Sequence, residues 1–334
     1  MTKDKQEMWV FIECFKNGKP KNIGLELLNE ATKITKEKNI RVVAIILGNN
    51  IIETTKYVIY AKAEKVIYIN NKNLEIYNTE AYVTNFYNLI KNYNPQTILI
   101  GATSIGRDMA PRLSARLKTG LTADCTKIEI EELSDNIIWT RPTFGGNLMA
   151  QIVCLENRPQ MGTIRAGVFK KAELNFSNKG TIIEASYIST NNKIKLIEEF
   201  LDNENEEINL EEAKIIVSAG LGIKNTKGVQ LVKELASELN ASLGASRAVV
   251  DSNLISRIHQ IGQTGKTVSP KIYIACGISG AIQHLVGMKT SDKIIAINSD
   301  EDAPIFSIAD YKIVGDIFEI IPELINKIKL SKKD

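Results

Sequence analysis

Short runs of β-branched and other apolar residues alternate with segments of helix length, and this alternation limits the chain to few folds. Four such runs lie in the first hundred residues, at 9–12, 42–46, 65–69 and 97–100. The segments between them place apolar side chains on one helical face, as Ile23, Leu27 and Ile34 do. Strands joined through helices usually pair in parallel, in a sheet that is covered on both faces. We therefore predict an α/β domain with a mostly parallel sheet.

A second α/β region follows an acidic stretch at 201–207. Its predicted strands and helices are 215–218, 228–239, 272–275, 279–286, 294–297 and 317–328. Because a domain holds about 150 residues, a chain of 334 residues corresponds to roughly two domains. We predict an N-terminal domain of residues 1–205 and a C-terminal domain of residues 206–334, with the acidic stretch as the linker.

The region from Leu121 to Ser189 differs from both α/β regions. Its strand-like pieces are shorter and are separated by turn residues, as in the segment RPTFGGN at 141–147. We interpret this region as an antiparallel extension of the first sheet.

The charge and cysteine content exclude several classes of protein. The 42 Lys and Arg residues nearly balance the 39 Asp and Glu residues, which leaves no large basic excess for nucleic acid or an anionic membrane. No stretch approaches 18 uninterrupted apolar residues and no secretory h-region is present, so we expect a cytoplasmic protein without membrane insertion. The four cysteines form no C-x-x-C pair and only two histidines occur, so no metal site is predicted.

The most informative segment is IACGISGAIQH, at 274–284. A buried strand ends there at a glycine turn, and Ser279 is suited to cap the helix that we predict after it. A helix N-terminus beyond a parallel strand favours a phosphate, although an ordinary strand-to-helix turn explains the same pattern. His284 is either directed at a ligand or a hydrogen-bonded core histidine.

Three further turns contain residues that fit a ligand site. They are SAGLG at 218–222, GASR at 244–247 and IGQTGK at 261–266. The first is a weak dinucleotide fingerprint because Asn225 stands where the third glycine is expected. The other two combine glycine with hydrogen-bonding or cationic side chains, but a plain polar turn would also account for them.

Together these segments resemble the α subunit of electron-transfer flavoproteins. The stretch 273–298, YIACGISGAIQHLVGMKTSDKIIAIN, looks like the C-terminal signature of that family. GASRAVVD at 244–251 and IGQTGK at 261–266 precede it in the family's order. The resemblance covers essentially the whole chain. It implies two α/β domains, each a mostly parallel sheet covered by helices, the second being a Rossmann-like domain that binds FAD without a covalent bond.

The resemblance also implies which residues hold the FAD, and it assigns no catalytic residue. It places Arg247 beside the isoalloxazine ring, the Thr264 hydroxyl near N5 and His284 on the pyrimidine side. The implied cofactor-binding residues are Leu221, Ser246, Arg247, Ile261, Gly262, Gln263, Thr264, Ser279, Gly280, Ala281, Ile282, Gln283, His284, Asn298, Asp316 and Ile317. Leu221 departs from the family, which usually has an arginine there. The missing charge predicts a lower flavin potential or a changed flavin contact.

Segments of the N-terminal domain resemble the NADH-dependent, bifurcating branch of the family from anaerobic bacteria. They are GATSIGRD at 101–108, TGLTADC at 119–125 and TRPTFGGN at 140–147. In that branch the N-terminal domain packs on a β subunit that often holds a second FAD. The resemblance implies that Arg141 approaches this second flavin across the subunit interface.

The function implied by the resemblance is that of the FAD-binding subunit of a heterodimer. It passes single electrons between an NADH-reduced flavin in the β subunit and an acyl-CoA dehydrogenase or related partner, with ferredoxin or flavodoxin as a further acceptor. One alternative is a simple electron carrier with one FAD and AMP. Another, from a different class, is a flavin-free regulatory protein that binds adenine nucleotides, because the α/β pattern of the N-terminal domain is generic.

Overall fold

The computed structural model describes residues 5–143, 148–191, 194, 196–197 and 210–332. The chain divides into two compact units, Met1–Phe200 and Leu201–Asp334. The predicted linker at 201–207 and the predicted boundary between 205 and 206 lie outside the described residues, as do residues 144–147 of the TRPTFGGN segment. The predicted architecture of two α/β domains is confirmed.

The first unit is built on a seven-stranded parallel sheet covered by helices. Its helices are α1 (Asn22–Ile34), α2 (Ile52–Tyr60), α3 (Thr79–Tyr93) and α4 (Ser104–Leu117). The strands of the unit are β1 (Gln6–Ile12), β2 (Ile40–Gly48), β3 (Lys65–Asn70), β4 (Thr97–Gly101), β5 (Leu121–Cys125), β6 (Lys127–Ile130), β7 (Ile137–Thr143), β8 (Leu148–Ile152), β9 (Gln160–Ile164) and β10 (Thr181–Glu184). The seven-stranded sheet has the order β10-β3-β2-β1-β4-β9-β5, and all its pairs are parallel.

The central strands are apolar throughout because both faces of the sheet are covered. Successive residues of β1 point to opposite faces, so Val10 packs with helix α1 while Trp9 packs with helix α3. The indole ring of Trp9 stacks on Phe86 of α3, with ring centroids 6.2 Å apart. Continuous apolar runs therefore mark the buried parallel strands.

The region from Leu121 to Ser189 does not form the antiparallel extension that we expected. Strands β5, β9 and β10 join the first sheet in parallel, whereas β6, β7 and β8 form a separate three-stranded antiparallel sheet. The indole ring of Trp139 in β7 packs directly on the backbone of Gly162 in β9. A Cβ at position 162 would lie only 2.2 Å from that ring. Close packing between the two sheets decides the pairing here, and short strands carry no local signal for it.

The second unit is built on a five-stranded parallel sheet. Its elements are β11 (Ile215–Ala219), α5 (Thr226–Glu238), β12 (Ser242–Ala245), α6 (Arg247–Asp251), β13 (Ile272–Cys276), α7 (Ile282–Leu285), β14 (Ile294–Asn298), β15 (Tyr311–Val314) and α8 (Ile317–Ser331). The strands pair in the order β12-β11-β13-β14-β15. The chain moves outward from β11 in one direction to β12 and in the other to β13. This reversal of strand order creates a crevice at the carboxyl ends of the strands.

The helix predicted at 279–286 is shorter than expected. It begins at Ile282, and Ala281 rather than Ser279 occupies the N-cap position. Gly277 and Gly280 adopt positive φ angles of 64° and 94°, which a right-handed helix does not accept. None of the described helices has the length and apolar character needed to cross a membrane.

Candidate functional site

A cleft of about 740 Å³ lies at the carboxyl ends of β11, β12, β13 and β14 in the second unit. Its walls are contributed by the loops after these strands, by the turn at 260–264 and by the start of α7. The volume is within the range of about 300–1,000 Å³ that is typical of small-molecule sites. The position is the crevice at which ligands of doubly wound sheets bind.

Three glycines bring two loops of the cleft wall into backbone contact. The Gly222 amide donates to the carbonyl of Gly277 at 3.0 Å, and the Gly220 amide donates to the carbonyl of Cys276 at 2.8 Å. A Cβ at Gly220 would lie 2.1 Å from the Gly277 carbonyl oxygen. The glycines of SAGLG are therefore required by loop packing rather than by a dinucleotide fingerprint.

The turn at 260–264 is fixed against the residues that begin α7. The Gln263 amide donates to the Gln283 carbonyl at 2.7 Å, and Gly262 has a φ of 141°. A Cβ at Gly262 would lie 2.9 Å from the same carbonyl oxygen. This arrangement exposes the Gln263 and Thr264 side chains on the cleft wall, where they offer hydrogen bonds to a ligand.

Both ring nitrogens of His284 already have protein partners. Nδ1 is 3.1 Å from the Ile261 carbonyl oxygen, and Nε2 is 3.0 Å from the Tyr273 hydroxyl. A carbonyl only accepts, so Nδ1 carries the proton and Nε2 accepts from the tyrosine. Burial lowers the pKa of His284 to about 4, so the ring is neutral at pH 7. His284 borders the cleft as a neutral ring and supplies no positive charge.

The buried neutral histidine predicts a loss of stability in mild acid. An unfolded histidine has a pKa of about 6.5, so the unfolded chain gains a proton between pH 7 and pH 5 that the native chain, with its His284 pKa of about 4, does not bind. We expect a loss of about 2 kcal/mol in unfolding free energy over this range. Urea unfolding of the protein without added ligand, followed by circular dichroism, measures this loss against the His284→Gln variant, whose side chain at this position cannot titrate. Equal pH dependence in both proteins would contradict the assignment.

Charged side chains give the cleft no excess of cations. Among its described lining residues, the charged ones are Arg247, Asp251 and Asp300. Arg247 pairs with Asp251 at 3.2 Å, and both side chains are mostly exposed. Leu221, which is 58% exposed, adds an apolar surface at the wall. One guanidinium thus faces two carboxylates, so the cleft does not strongly favour a ligand that gains negative charge.

Comparisons with known proteins agree with this division into units. Residues 8–189 match the family described as the electron transfer flavoprotein domain, and residues 209–289 match the electron transfer flavoprotein FAD-binding domain. The chain is 48% identical over 331 residues to the electron transfer flavoprotein subunit alpha of Thermoanaerobacterium thermosaccharolyticum, covering 98% of this chain and 99% of the relative. The chain belongs to the electron transfer flavoprotein α-subunit family.

Two other relatives of this α-subunit chain have more specific names. One is the acryloyl-CoA reductase electron transfer subunit beta of Anaerotignum propionicum, 42% identical over 360 residues, with 98% of this chain and 96% of the relative covered. The other is the lactate dehydrogenase (NAD(+),ferredoxin) subunit LctC of Acetobacterium woodii, 39% identical over 309 residues, with 92% of this chain and 73% of the relative covered.

Most of the residues predicted to hold the cofactor of this α-subunit chain come together in the cleft. Those that line it are Leu221, Ser246, Arg247, Ile261, Gly262, Gln263, Thr264, Ser279, Ala281, Gln283, His284 and Asn298. They converge because the loops after neighbouring parallel strands emerge at the same edge of the sheet.

Four residues of the predicted set lie outside the lining of the cleft. Gly280 packs on the backbone of residue 305, and Ile282 is 72% exposed. Asp316 caps α8 by accepting from the Phe318 amide at 2.9 Å. Ile317 is the first residue of the same helix and is buried in the core. Their positions give Asp316 and Ile317 a structural part in the fold.

The sequence reasoning missed several residues of the cleft wall. They are Gly222, Ala248, Asp251, Gln260, Gly277, Ile278, Asp300 and Ala303. Gly222 lies in the segment 218–222, and Gly277 and Ile278 lie in the segment 274–284, both of which the sequence analysis names. Their position just after a predicted strand was therefore a signal that could have placed them in the cleft. Gln260 precedes its motif by one residue and carried no such signal.

Arg141, predicted to approach a second flavin, lies in the first unit among other arginines. Its buried Nε atom has no hydrogen-bond partner within the described residues, and the same is true of Nε and Nη1 of Arg165. The pKa of Arg165 is lowered, chiefly because the side chain is buried, although the nearby Asp124 opposes this shift. Asp124 in turn pairs with Arg107 at 3.1 Å. The sequence reasoning did not single out Arg165, which directly follows strand β9.

Proposed function

We propose that this chain is the FAD-binding α subunit of a heterodimeric electron-transfer flavoprotein. It passes single electrons between an NADH-reduced flavin of the β subunit and an acyl-CoA dehydrogenase or related partner, in flavin-based electron bifurcation. The observation that carries the proposal is the cleft at the strand-order reversal, which lies in the unit matched by the FAD-binding domain.

We also propose that the protein is cytoplasmic. All four cysteines are free, which fits the reducing conditions of that compartment.

The residues of the cleft fit a flavin nucleotide. The backbones of Gly222 and Gly277 line the cleft, and because glycine has no side chain they allow a ligand to approach the backbone closely. The remaining walls combine apolar side chains such as Ile261 and Leu221 with amide and hydroxyl groups. A planar ring system with polar edges matches this mixture.

Bound FAD would supply the redox chemistry, because it accepts and releases electrons one at a time. The chain would supply position and electrostatics. Gln263 and Thr264 would hold polar edges of the ligand, while Arg247 would offer a cation that is partly neutralised by Asp251. The neutral His284 ring, fixed by Tyr273 and the Ile261 carbonyl, would limit the space for the ligand without adding charge.

The bifurcating form of the function is favoured by two lines of support. One relative is named for NAD(+) and ferredoxin, and another for an acryloyl-CoA reductase, so such activities occur in similar proteins. The arginines of the first unit provide the second line. The unpartnered nitrogens of Arg141 and Arg165 would gain hydrogen bonds from an anionic or carbonyl-bearing ligand held by a β subunit.

Cofactor stoichiometry tests the proposal. The chain is purified with its β subunit, FAD and AMP are counted in a denatured extract, and NADH is then added without oxygen. We expect two FAD per heterodimer, no AMP and bleaching of the visible spectrum by NADH. One FAD with one AMP and no response to NADH would instead identify the simple carrier. A complex without flavin would overturn the proposal and favour the flavin-free regulatory protein.

A further inference from the structure

Gln260 is a buried polar residue on the wall of the cleft. The residue is 4% exposed, and it follows the short helical turn Arg257–His259. Its carbonyl accepts from the Lys266 amide at 2.8 Å, and its own amide donates to the Arg257 carbonyl at 3.0 Å. Hydrogen bonds at both its amide and its carbonyl therefore fix the backbone of Gln260, which limits the positions that its side chain can reach.

The side-chain amide of Gln260 donates to the hydroxyl of Thr264. The distance from Nε2 to Oγ1 is 3.0 Å, and both residues line the cleft. A hydroxyl has one hydrogen to donate and two lone pairs that accept. Because one lone pair of Oγ1 takes the Gln260 hydrogen, the Thr264 hydrogen must point elsewhere. Within the part of the chain that the structure describes, no other group accepts it.

We infer that Gln260 is a positioning residue, which turns the Thr264 hydroxyl so that its hydrogen is donated to the ligand in the cleft. This inference rests on the proposed function, in which the ligand is a flavin. A donor aimed at the ligand favours the form that has gained an electron, since hydrogen bonds to charged groups are stronger than those to neutral ones. The amide is essential to this role because a carboxylate at the same place only accepts, and would draw the hydrogen away from the ligand.

A double-mutant cycle on flavin potentials tests this inference. The complex with the β subunit is prepared unchanged, as Gln260→Glu, as Thr264→Val and as the double variant, and the midpoint potentials of all bound flavins are measured. We expect Thr264→Val to shift the reduction equilibrium of one flavin about tenfold toward the oxidised form. Gln260→Glu is expected to shift the same equilibrium in the same direction. In the Thr264→Val background, the shift caused by Gln260→Glu is expected to be about tenfold smaller than it is when Thr264 is present.

The cycle separates positioning from the direct effect of a new charge. A carboxylate at position 260 repels an added electron whether or not Thr264 is present, so that part of the shift persists in the double variant. Gln260→Leu adds no charge, and is expected to give about a threefold shift that is absent in the Thr264→Val background. Gln230→Glu, on the exposed surface of α5 away from the cleft, controls for the net charge of the complex.

The outcomes distinguish this inference from the function on which it rests. Thr264→Ser keeps the hydroxyl, and is expected to keep the potential of the unchanged complex. If the shifts of both Gln260→Glu and Gln260→Leu simply add to that of Thr264→Val in the double variants, the role of Gln260 would be overturned. The proposed binding of flavin would remain intact. If Gln260→Glu loses its flavin, the Gln260→Leu cycle decides alone. An unchanged complex without flavin would overturn the proposed function and this inference with it.

Discussion

In Gly220→Ala, we expect flavin content to fall at least tenfold and the second unit to lose about 3 kcal/mol of unfolding free energy. The added Cβ would lie 2.1 Å from the Gly277 carbonyl oxygen and 2.5 Å from the Ile278 Cα atom. Both atoms belong to the backbone, so no side-chain rotation relieves the overlap. The loops after β11 and β13 would have to separate, and these loops form one wall of the cleft.

Flavin absorbance of the purified complex and its urea unfolding curve measure the two effects. Gly120→Ala is the matched control, because a Cβ there meets only the Cys154 side chain, with the nearest atom, the sulfur, at 3.5 Å. That distance is an ordinary contact, and the control is expected to keep its flavin and its stability. A Gly220→Ala complex with full flavin content and an unchanged unfolding curve would show that the two loops are not held in the close contact seen here.

The fold was predictable where the information is local. The apolar run at 42–46 lies within β2, and the helical face at Ile23 to Ile34 lies within α1, because buried parallel strands and covering helices impose those periods on the sequence. The pairing of β6, β7 and β8 was not predictable, since it depends on contacts with distant residues such as that of Trp139 with Gly162. The start of α7 was missed because positive φ angles at Gly277 and Gly280 delay it.

The site was predictable to the extent that it follows from strand ends. Ser246, Ser279 and Asn298 all come close behind parallel strands or end one, and parallel strands bring such positions to one edge of the sheet. The pairing of Gln260 with Thr264 depends on the conformation of one turn, which no period in the sequence encodes. The neutral state of His284 depends on its burial in the folded chain, so the sequence left both interpretations of this residue open.

In Leu221→Arg, we expect a higher midpoint potential for the flavin proposed for the cleft. Arginine is the residue that the family resemblance leads one to expect at this position, and the described cleft residues hold one cation against two carboxylates. A unit charge about 4 Å from the ring is worth roughly 1–4 kcal/mol, depending on the effective dielectric constant. For one electron this corresponds to about 40–170 mV, at about 59 mV per tenfold change in equilibrium constant. The 58% exposure of Leu221 favours the lower part of that range.

A redox titration of the complex at two salt concentrations measures this shift and its origin. Leu221→Gln is the matched control, because it adds polarity and length without charge and is expected to leave the potential within about 20 mV of the unchanged protein. A Coulombic shift shrinks as salt rises, since the Debye length falls from about 10 Å at 0.1 M to about 3 Å at 1 M. A shift that persists at high salt would mean that the arginine changes a flavin contact instead. An unchanged potential with flavin still bound would mean that Asp300 or solvent takes up the guanidinium, and that the charge at position 221 does not set the potential.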